Sequence, residues 1–189
     1  FFVDLEQQFA DEKNYTKGRL EDPITGLNNL HGLAENMNHY LEKFWHHDRK
    51  FCVMGFYIKE YEQFRRTFGD TAGNAYLKAI GQALQDVFDH MAILAYVIDG
   101  QFYVIMQYEN LADMQQIQQE AVRHIEFIHH VGEWRCTCTA KTTLSYVNEE
   151  NAGVFRYEQL MYQFMQELGK SEKKREPEAD KRLTGTESE

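Results

Sequence analysis

Three cationic side chains, Lys59, Arg65 and Arg66, follow an apolar run and could bind an anionic ligand. Arginine suits this chemistry because its planar guanidinium donates paired hydrogen bonds to a phosphate or a carboxylate. A solvated helix face explains the same three residues without any ligand and is the simpler interpretation. The segment is therefore a candidate anion site with a plain structural alternative.

A second group with ligand chemistry is the pair Cys136 and Cys138, which alternation would place on one face of a strand. Thiolates bind zinc, but a structural zinc site needs four ligands, and this pair supplies two. With Cys52 the chain has three cysteines, an odd and low number for a disulfide scaffold. We therefore expect buried free thiols without metal, in a reducing, cytoplasmic environment.

The composition disfavours several classes of function. The 189 residues carry a formal net charge of −10, which opposes binding to nucleic acid or anionic lipid because phosphates attract basic surfaces. No apolar stretch approaches the ~18 residues typical of a membrane span, so no membrane contact is expected. The length suits one domain with tails. Since the chain starts at Phe1 rather than Met, we expect a fragment, such as the cytoplasmic part of a larger sensor.

Helical and strand patterns alternate along the chain. Apolar residues at three- and four-residue spacing predict helices over 25–47, 60–68, 71–89, 110–130 and about 156–168. Thr25, after the Asp22-Pro23 turn, is expected to cap the first helix. The apolar run 51–58 predicts a strand buried on both faces, and 133–147 predicts another strand.

The clearest local signal is a hairpin. The apolar runs 92–98 and 101–106 are separated only by Asp99-Gly100, a pair that favours a tight turn with both residues at positive φ. Together these patterns predict one α/β domain with a central sheet over residues 20–168. Residues 1–19 are expected to form an incoming helix or linker, and the charged residues 169–189 a disordered tail or linker.

Three segments, in this order and at this spacing, resemble the GGDEF (diguanylate cyclase) family. Residues 22–29 (DPITGLNN) look like the family's opening motif. Gly69, Gly73 and Leu77 keep the spacing of its Gly-His-x-x-Gly-Asp-x-x-Leu segment, and 95–102 (AYVIDGQF) take the place of its signature loop. The resemblance implies a five-stranded mixed sheet flanked by helices, similar to nucleotide polymerase palm and cyclase domains, with the antiparallel hairpin at the signature loop.

The resemblance also implies a site that joins two GTP molecules, where carboxylates hold divalent metal against the phosphates. Tyr57 and Gly100 stand at the two metal-carboxylate positions. Gln101, which is neutral and cannot act as a base, stands at the acidic catalytic position. Phe102 alone matches the signature. We therefore expect no catalytic residue and no metal site, with Mg²⁺ present only if a nucleotide binds.

The nucleotide-binding positions depart from the family's pattern as well. Ile98 and Asp99 replace the two glycines that let substrate approach the loop, and Asp99 is expected to form the turn rather than to bind metal. Glu62 stands in place of a phosphate-contacting lysine. Arg65 and Asn74 stand in place of a guanine-reading asparagine and aspartate.

Little of the family's nucleotide site therefore remains. The vestigial positions are Arg65, Gly69, Gly73 and Asn74. Residues 89–92 (DHMA) do not match the Arg-x-x-Asp motif of product inhibition, which weakens the case for cyclic di-GMP binding by that route.

These departures predict a catalytically inactive GGDEF-like regulatory domain of a larger bacterial signalling protein. It would act by contact with a second copy or with another signalling domain. Two alternatives stay open: a non-catalytic receptor for GTP or cyclic di-GMP, and an active diguanylate cyclase or other nucleotidyl transferase with an unusual site. Nucleotide affinity separates the first two functions, and turnover with magnesium or manganese separates the third.

Overall fold

The computed structural model describes residues 18–149 and, on its own, Gln166. In chain order the elements are α1 (Leu30–His47), β1 (Phe51–Ile58), α2 (Tyr61–Phe68), α3 (Asp70–Phe88), a 3-10 turn (Asp89–Met91), β2 (Ala92–Ile98), β3 (Gln101–Gln107), α4 (Leu111–Glu126), β4 (His130–Val131), β5 (Trp134–Arg135) and β6 (Ala140–Val147). Residues 1–17 of the expected incoming helix or linker, the helix expected near 156–168 and the charged tail from 169 lie outside the described residues, Gln166 excepted. In the described part of the chain, no helix is long and apolar enough to cross a membrane.

The central sheet has the strand order β2-β3-β1-β6, with every pair antiparallel. Strand β1 lies inside the sheet, hydrogen-bonded to β3 on one side and to β6 on the other. Its eight residues are buried except for the half-buried Tyr57. This agrees with the unbroken apolar run, because a strand covered on both faces needs apolar side chains at every position.

Helices cover both faces of the sheet, and alternation along β1 divides its side chains between two cores. Met54 and Phe56 lie in the larger core, together with residues of α2, α3 and α4. Phe51 and Val53 lie in the smaller core, beneath α1. The α2 helix, which follows β1 directly, is thereby fixed beside the β2–β3 hairpin.

The predicted α/β fold class is confirmed, but the sheet differs in detail from the five-stranded mixed sheet that we expected. Within residues 18–149 it has four strands, and the parallel contact is a single bridge between Asn28 and Ala95. The predicted strand 133–147 is divided, because a turn at Gly132 (φ 60) folds β5 back onto β4 as a separate ribbon. Only β6 joins the sheet.

The first helix begins later than predicted. The side chain of Asn29, not that of Thr25, caps it by accepting a hydrogen bond from Gly32 N at 2.9 Å. Thr25 instead donates to Asp22 Oδ2 from both its amide and its hydroxyl, each at 2.7 Å. Asp22 therefore holds residues 22–25 in a turn, and Leu27, which we placed on the helix, is buried ahead of it.

All three cysteines are free, but Cys136 is only half-buried. The prediction that Cys136 and Cys138 share one face of a strand is wrong, because residues 136–139 form an irregular connection between β5 and β6. Their thiols nevertheless interact. Burial raises the pKa of Cys138 to about 12, so this group stays a neutral thiol at physiological pH.

Candidate functional site

The candidate site centres on the β2–β3 hairpin and the adjoining end of β1. The turn has both central residues at positive φ, 49° for Asp99 and 79° for Gly100, which confirms the hairpin that the Asp-Gly pair predicted. Gln101 pairs with Tyr57 of β1 across the ladder. The sheet thus brings together the three positions at which the family resemblance implies carboxylates.

The space around Gly100 is already filled. Its carbonyl accepts a hydrogen bond from Ile58 N at 3.0 Å. A Cβ atom at this position would lie 3.1 Å from the Ile58 carbonyl oxygen and 3.2 Å from Tyr61 Cβ. Because φ is also positive, a side chain here would be strained as well as crowded. A glycine, not a carboxylate, fits this turn.

Two tyrosines pack beneath the hairpin, and the sequence patterns gave no reason to select them. Tyr61 and Tyr96 are 6% and 9% exposed, and their side chains are hydrogen-bonded to each other. The Tyr96 and Phe102 rings are 5.0 Å apart. Burial raises the pKa of Tyr96 and, against the effect of the hydrogen bond, also that of Tyr61. Both hydroxyls therefore stay protonated and cannot replace a carboxylate as metal ligand or base. The one signal in the sequence is at Tyr96, a hydroxyl inside the apolar run 92–98.

Asp99 is the carboxylate of the β2–β3 hairpin, and it lies in the turn itself. Gln101 Oε1 accepts a hydrogen bond from the Tyr103 hydroxyl at 3.2 Å, and Tyr57 packs against the smaller core. Among the described residues, no group of three His, Cys, Asp or Glu side chains is placed to hold a metal ion. The residues present therefore do not fit the divalent metal that the family's reaction uses.

The cleft between α2 and α3 is covered by Arg65. Its guanidinium lies 3.2 Å from Glu62 Oε2 and 3.3 Å from Asp70 Oδ1. A Cβ atom at Gly73 would lie 2.9 Å from Arg65 Cγ, so the arginine stem lies directly on the glycine. Asn74, the next residue, is exposed on α3. The vestigial nucleotide positions Arg65, Gly73 and Asn74 are therefore close together, and the Arg65 side chain lies on Gly73.

The cations of the candidate anion site are not gathered around one point. Arg65 and Arg66 are both paired with Glu62, Arg66 through Nε at 3.7 Å. Lys59 lines a separate cavity that also contains Lys141. The negative charge of Glu62 offsets the positive charges of Arg65 and Arg66. These residues are therefore better described as a solvated helix face than as an anion site.

Two other expected positions have structural roles. Gly69 joins α2 to α3 at φ 94°, a conformation that favours glycine. Residues 89–92, at the place of the product-inhibition motif, form the 3-10 turn and the first residue of β2. The His90 side chain there is fully exposed and lies 3.5 Å from Asp89.

Comparison with known structures agrees with this fold. The chain is similar to the diguanylate cyclase SiaD of Pseudomonas aeruginosa, solved with its activator SiaC (18% identity, TM-score 0.74, 92% of this chain and 66% of that chain). It is also similar to the coiled coil and GGDEF domain of DgcB from Caulobacter crescentus, solved with c-di-GMP (12% identity, TM-score 0.79, 92% and 91%). The FimX GGDEF domain of P. aeruginosa is a third similar structure (15%, 0.73, 82% and 94%).

At these identities the similar structures establish the fold alone, and the chain spans 66% of the length of the SiaD chain. No curated protein matches the sequence significantly. The sequence profile described as "Diguanylate cyclase, GGDEF domain" matches residues 20–175, which is most of the chain. The protein therefore belongs to the GGDEF family, the family of cyclic di-GMP signalling.

Proposed function

We propose that this GGDEF domain is catalytically inactive and acts as a regulatory module through protein contacts. The observation that carries the proposal is the hairpin geometry, where Gln101 faces Tyr57 and Gly100 is enclosed by Ile58 and Tyr61. Tyr57, Gly100 and Gln101 carry no carboxylate. The carboxylate of the hairpin, Asp99, is the turn residue before Gly100 and stands one position from where the reaction would need it.

The chemistry explains why this loss matters. Attack of a 3′-hydroxyl on an α-phosphate builds negative charge that divalent metal must stabilise, and oxygen ligands must hold that metal. Tyr57 and Gln101 offer only neutral oxygens, and Gly100 offers no side chain. The family's reaction therefore has no support at this hairpin.

Partners remain proposals as well. SiaD, a diguanylate cyclase of the same fold, is solved in complex with an activator protein, which supports a protein partner for this chain. A second copy of the chain or a neighbouring signalling domain would fill the same role. Such contacts need only the folded surface, which the loss of carboxylates leaves intact.

A receptor for GTP or cyclic di-GMP is the second candidate, since DgcB is solved with c-di-GMP and this chain retains Gly69 and Gly73. The position of Arg65 over Gly73 opposes it, because a guanine base would have to displace the arginine stem. An active cyclase or another nucleotidyl transferase is the third candidate and requires metal ligands elsewhere.

The test combines turnover and binding. The purified protein is incubated with GTP and Mg²⁺ or Mn²⁺, with an active diguanylate cyclase in parallel, and the products are separated by chromatography. Calorimetric titration with GTP and with cyclic di-GMP follows. We expect no product and no binding heat. Micromolar binding without turnover would favour the receptor, and formation of cyclic di-GMP would overturn the proposal.

A further inference from the structure

A cavity of about 540 Å³ lies between α2 and the β4–β5 ribbon. Phe64 and Phe68 of α2 line it, with ring centroids 5.0 Å apart. Phe68 is 46% exposed, so part of an aromatic ring faces the open space. Gln63 and Thr67 line the same cavity, whereas Arg65 does not. The cavity therefore lies on a different face of α2 from the covered nucleotide cleft.

The ribbon presents two basic side chains to this cavity. His130 and Arg135 are direct cross-strand partners, as are Val131 and Trp134. Because side chains alternate along a strand, these two pairs occupy opposite faces of the ribbon. Val131 is buried in the larger core, so the His130–Arg135 face points away from that core. Both residues are exposed and line the cavity.

The ribbon is held in place at its base. Cys136 N donates a hydrogen bond to the His129 carbonyl at 2.9 Å, next to the His130–Arg135 pair. The Tyr76 hydroxyl donates to the Thr137 carbonyl at 2.9 Å, which ties the following segment to α3. The His130–Arg135 face of the ribbon is therefore fixed relative to α3, on the larger core.

Arg135 supplies the positive charge that can bind an anion in this cavity. Within the described residues, Arg135 has no carboxylate within ion-pair distance. The acid that lines the cavity, Glu60, already accepts a hydrogen bond from Thr139 N at 2.8 Å. A guanidinium without a partner donates strong hydrogen bonds to phosphate or carboxylate, and an adjacent aromatic ring binds a planar apolar group.

We propose that this cavity binds a small organic anion, with its aromatic body on Phe68 and its phosphate or carboxylate group on Arg135 and His130. The site is separate from the nucleotide cleft, and its existence does not depend on whether the domain is catalytically inactive. The domain would then bind this ligand independently of the nucleotide positions.

The test uses amide chemical shifts of the ¹⁵N-labelled protein during titration with phenyl phosphate, benzoate and uncharged benzyl alcohol. We expect saturable shifts around Gln63, Thr67 and Cys136 with an anionic probe and none with benzyl alcohol. The stronger of the two anions identifies the acid group. Shifts centred on Asn74, or equal responses to all three probes, would overturn the proposal.

Two cavity variants and one control variant sharpen the result. Arg135→Gln should weaken binding of the anion by at least about tenfold, as expected for loss of a charge-assisted hydrogen bond. The matched control is Arg49→Gln, since Arg49 precedes β1 at the far end of that strand, and it should bind as the parent does. Phe68→Ser tests the aromatic contact independently and should also weaken binding. Unchanged affinity in both cavity variants would contradict the site.

Discussion

The side chain of Arg65 lies on Gly73, close enough that a Cβ atom at residue 73 would come within 2.9 Å of Arg65 Cγ and 3.2 Å of Arg65 Cβ. Glu62 and Asp70 hold the guanidinium in this position. A glycine that keeps the family's spacing thus accommodates an arginine stem in this chain, which links the change at residue 65 to the covered cleft.

Gly73→Ala should destabilise the protein although alanine is the better helix former. The contact is with the stem of Arg65 rather than with its flexible end, so the cost should be about 1–3 kcal/mol, as for overpacking in other cores. The free energy of unfolding in urea measures it. In Arg65→Ala the contact with Cγ is lost, but residue 65 keeps its Cβ at 3.2 Å from the new methyl group. Gly73→Ala should therefore cost about 1 kcal/mol less in this background than in the parent protein. Equal effects in both backgrounds would show that the two residues are not coupled.

Gly100→Asp, which returns a carboxylate to the hairpin, should lower stability by about 1–3 kcal/mol. The new Cβ would crowd Ile58 O and Tyr61, and the positive φ adds strain. Denaturant unfolding gives the change. Asp99→Asn is the matched control, because asparagine also tolerates a left-handed conformation, and it should leave stability unchanged within about 0.5 kcal/mol. A stable Gly100→Asp protein would mean that the space at Gly100 is not limiting.

Opening the nucleotide cleft should not create enzyme activity. Arg65→Asn shortens the side chain that covers Gly73, but Tyr57 and Gly100 still supply no carboxylate for metal. With GTP and Mg²⁺ or Mn²⁺ we expect product no higher than in a reaction without protein, measured by chromatography. Arg49→Asn, away from the cleft, serves as the control. Accumulation of cyclic di-GMP by the Arg65 variant would reveal a metal site elsewhere and contradict an inactive domain.

Stability should fall as the pH rises above about 9. Burial raises the pKa of Cys52 from 9.0 to about 12, so between these values the unfolded chain loses the thiol proton while the folded chain keeps it. Fewer protons bound in the unfolded state mean that the free energy of unfolding decreases with pH. Buried tyrosines, whose pKa values are also raised, act in the same direction.

Urea midpoints at pH 7, 9 and 10.5 measure this dependence. In Cys52→Ala the decrease between pH 9 and 10.5 should be smaller than in the parent, although the variant begins at a lower stability because a buried side chain is shortened. Parallel curves for the two proteins would show that the pKa of Cys52 does not differ between the folded and the unfolded chain.

Much of the architecture could be predicted because its causes lie close together in the sequence. Asp99-Gly100 forms the turn through the conformations that these two residues allow, and the run 51–58 forms a buried strand because every residue in it is apolar. Gln101 was correctly placed at the hairpin for the same reason. Residues 133–147 do not form one strand, because the turn at Gly132 pairs Trp134 and Arg135 with β4. The strand preference of the individual residues does not show this pairing.

The composition of the site followed from residue identity: at Tyr57, Gly100 and Gln101 the absence of carboxylates is visible without any coordinates. How the side chains fill the space around these positions cannot be predicted from the sequence. The hydrogen bond between Tyr61 and Tyr96, the stem of Arg65 on Gly73, and the basic face of the β4–β5 ribbon beside Phe68 all join different elements of the fold. Local preferences act over a few residues, whereas these distances depend on how α2 packs against the hairpin, α3 and the ribbon, and that packing exists only in the folded chain.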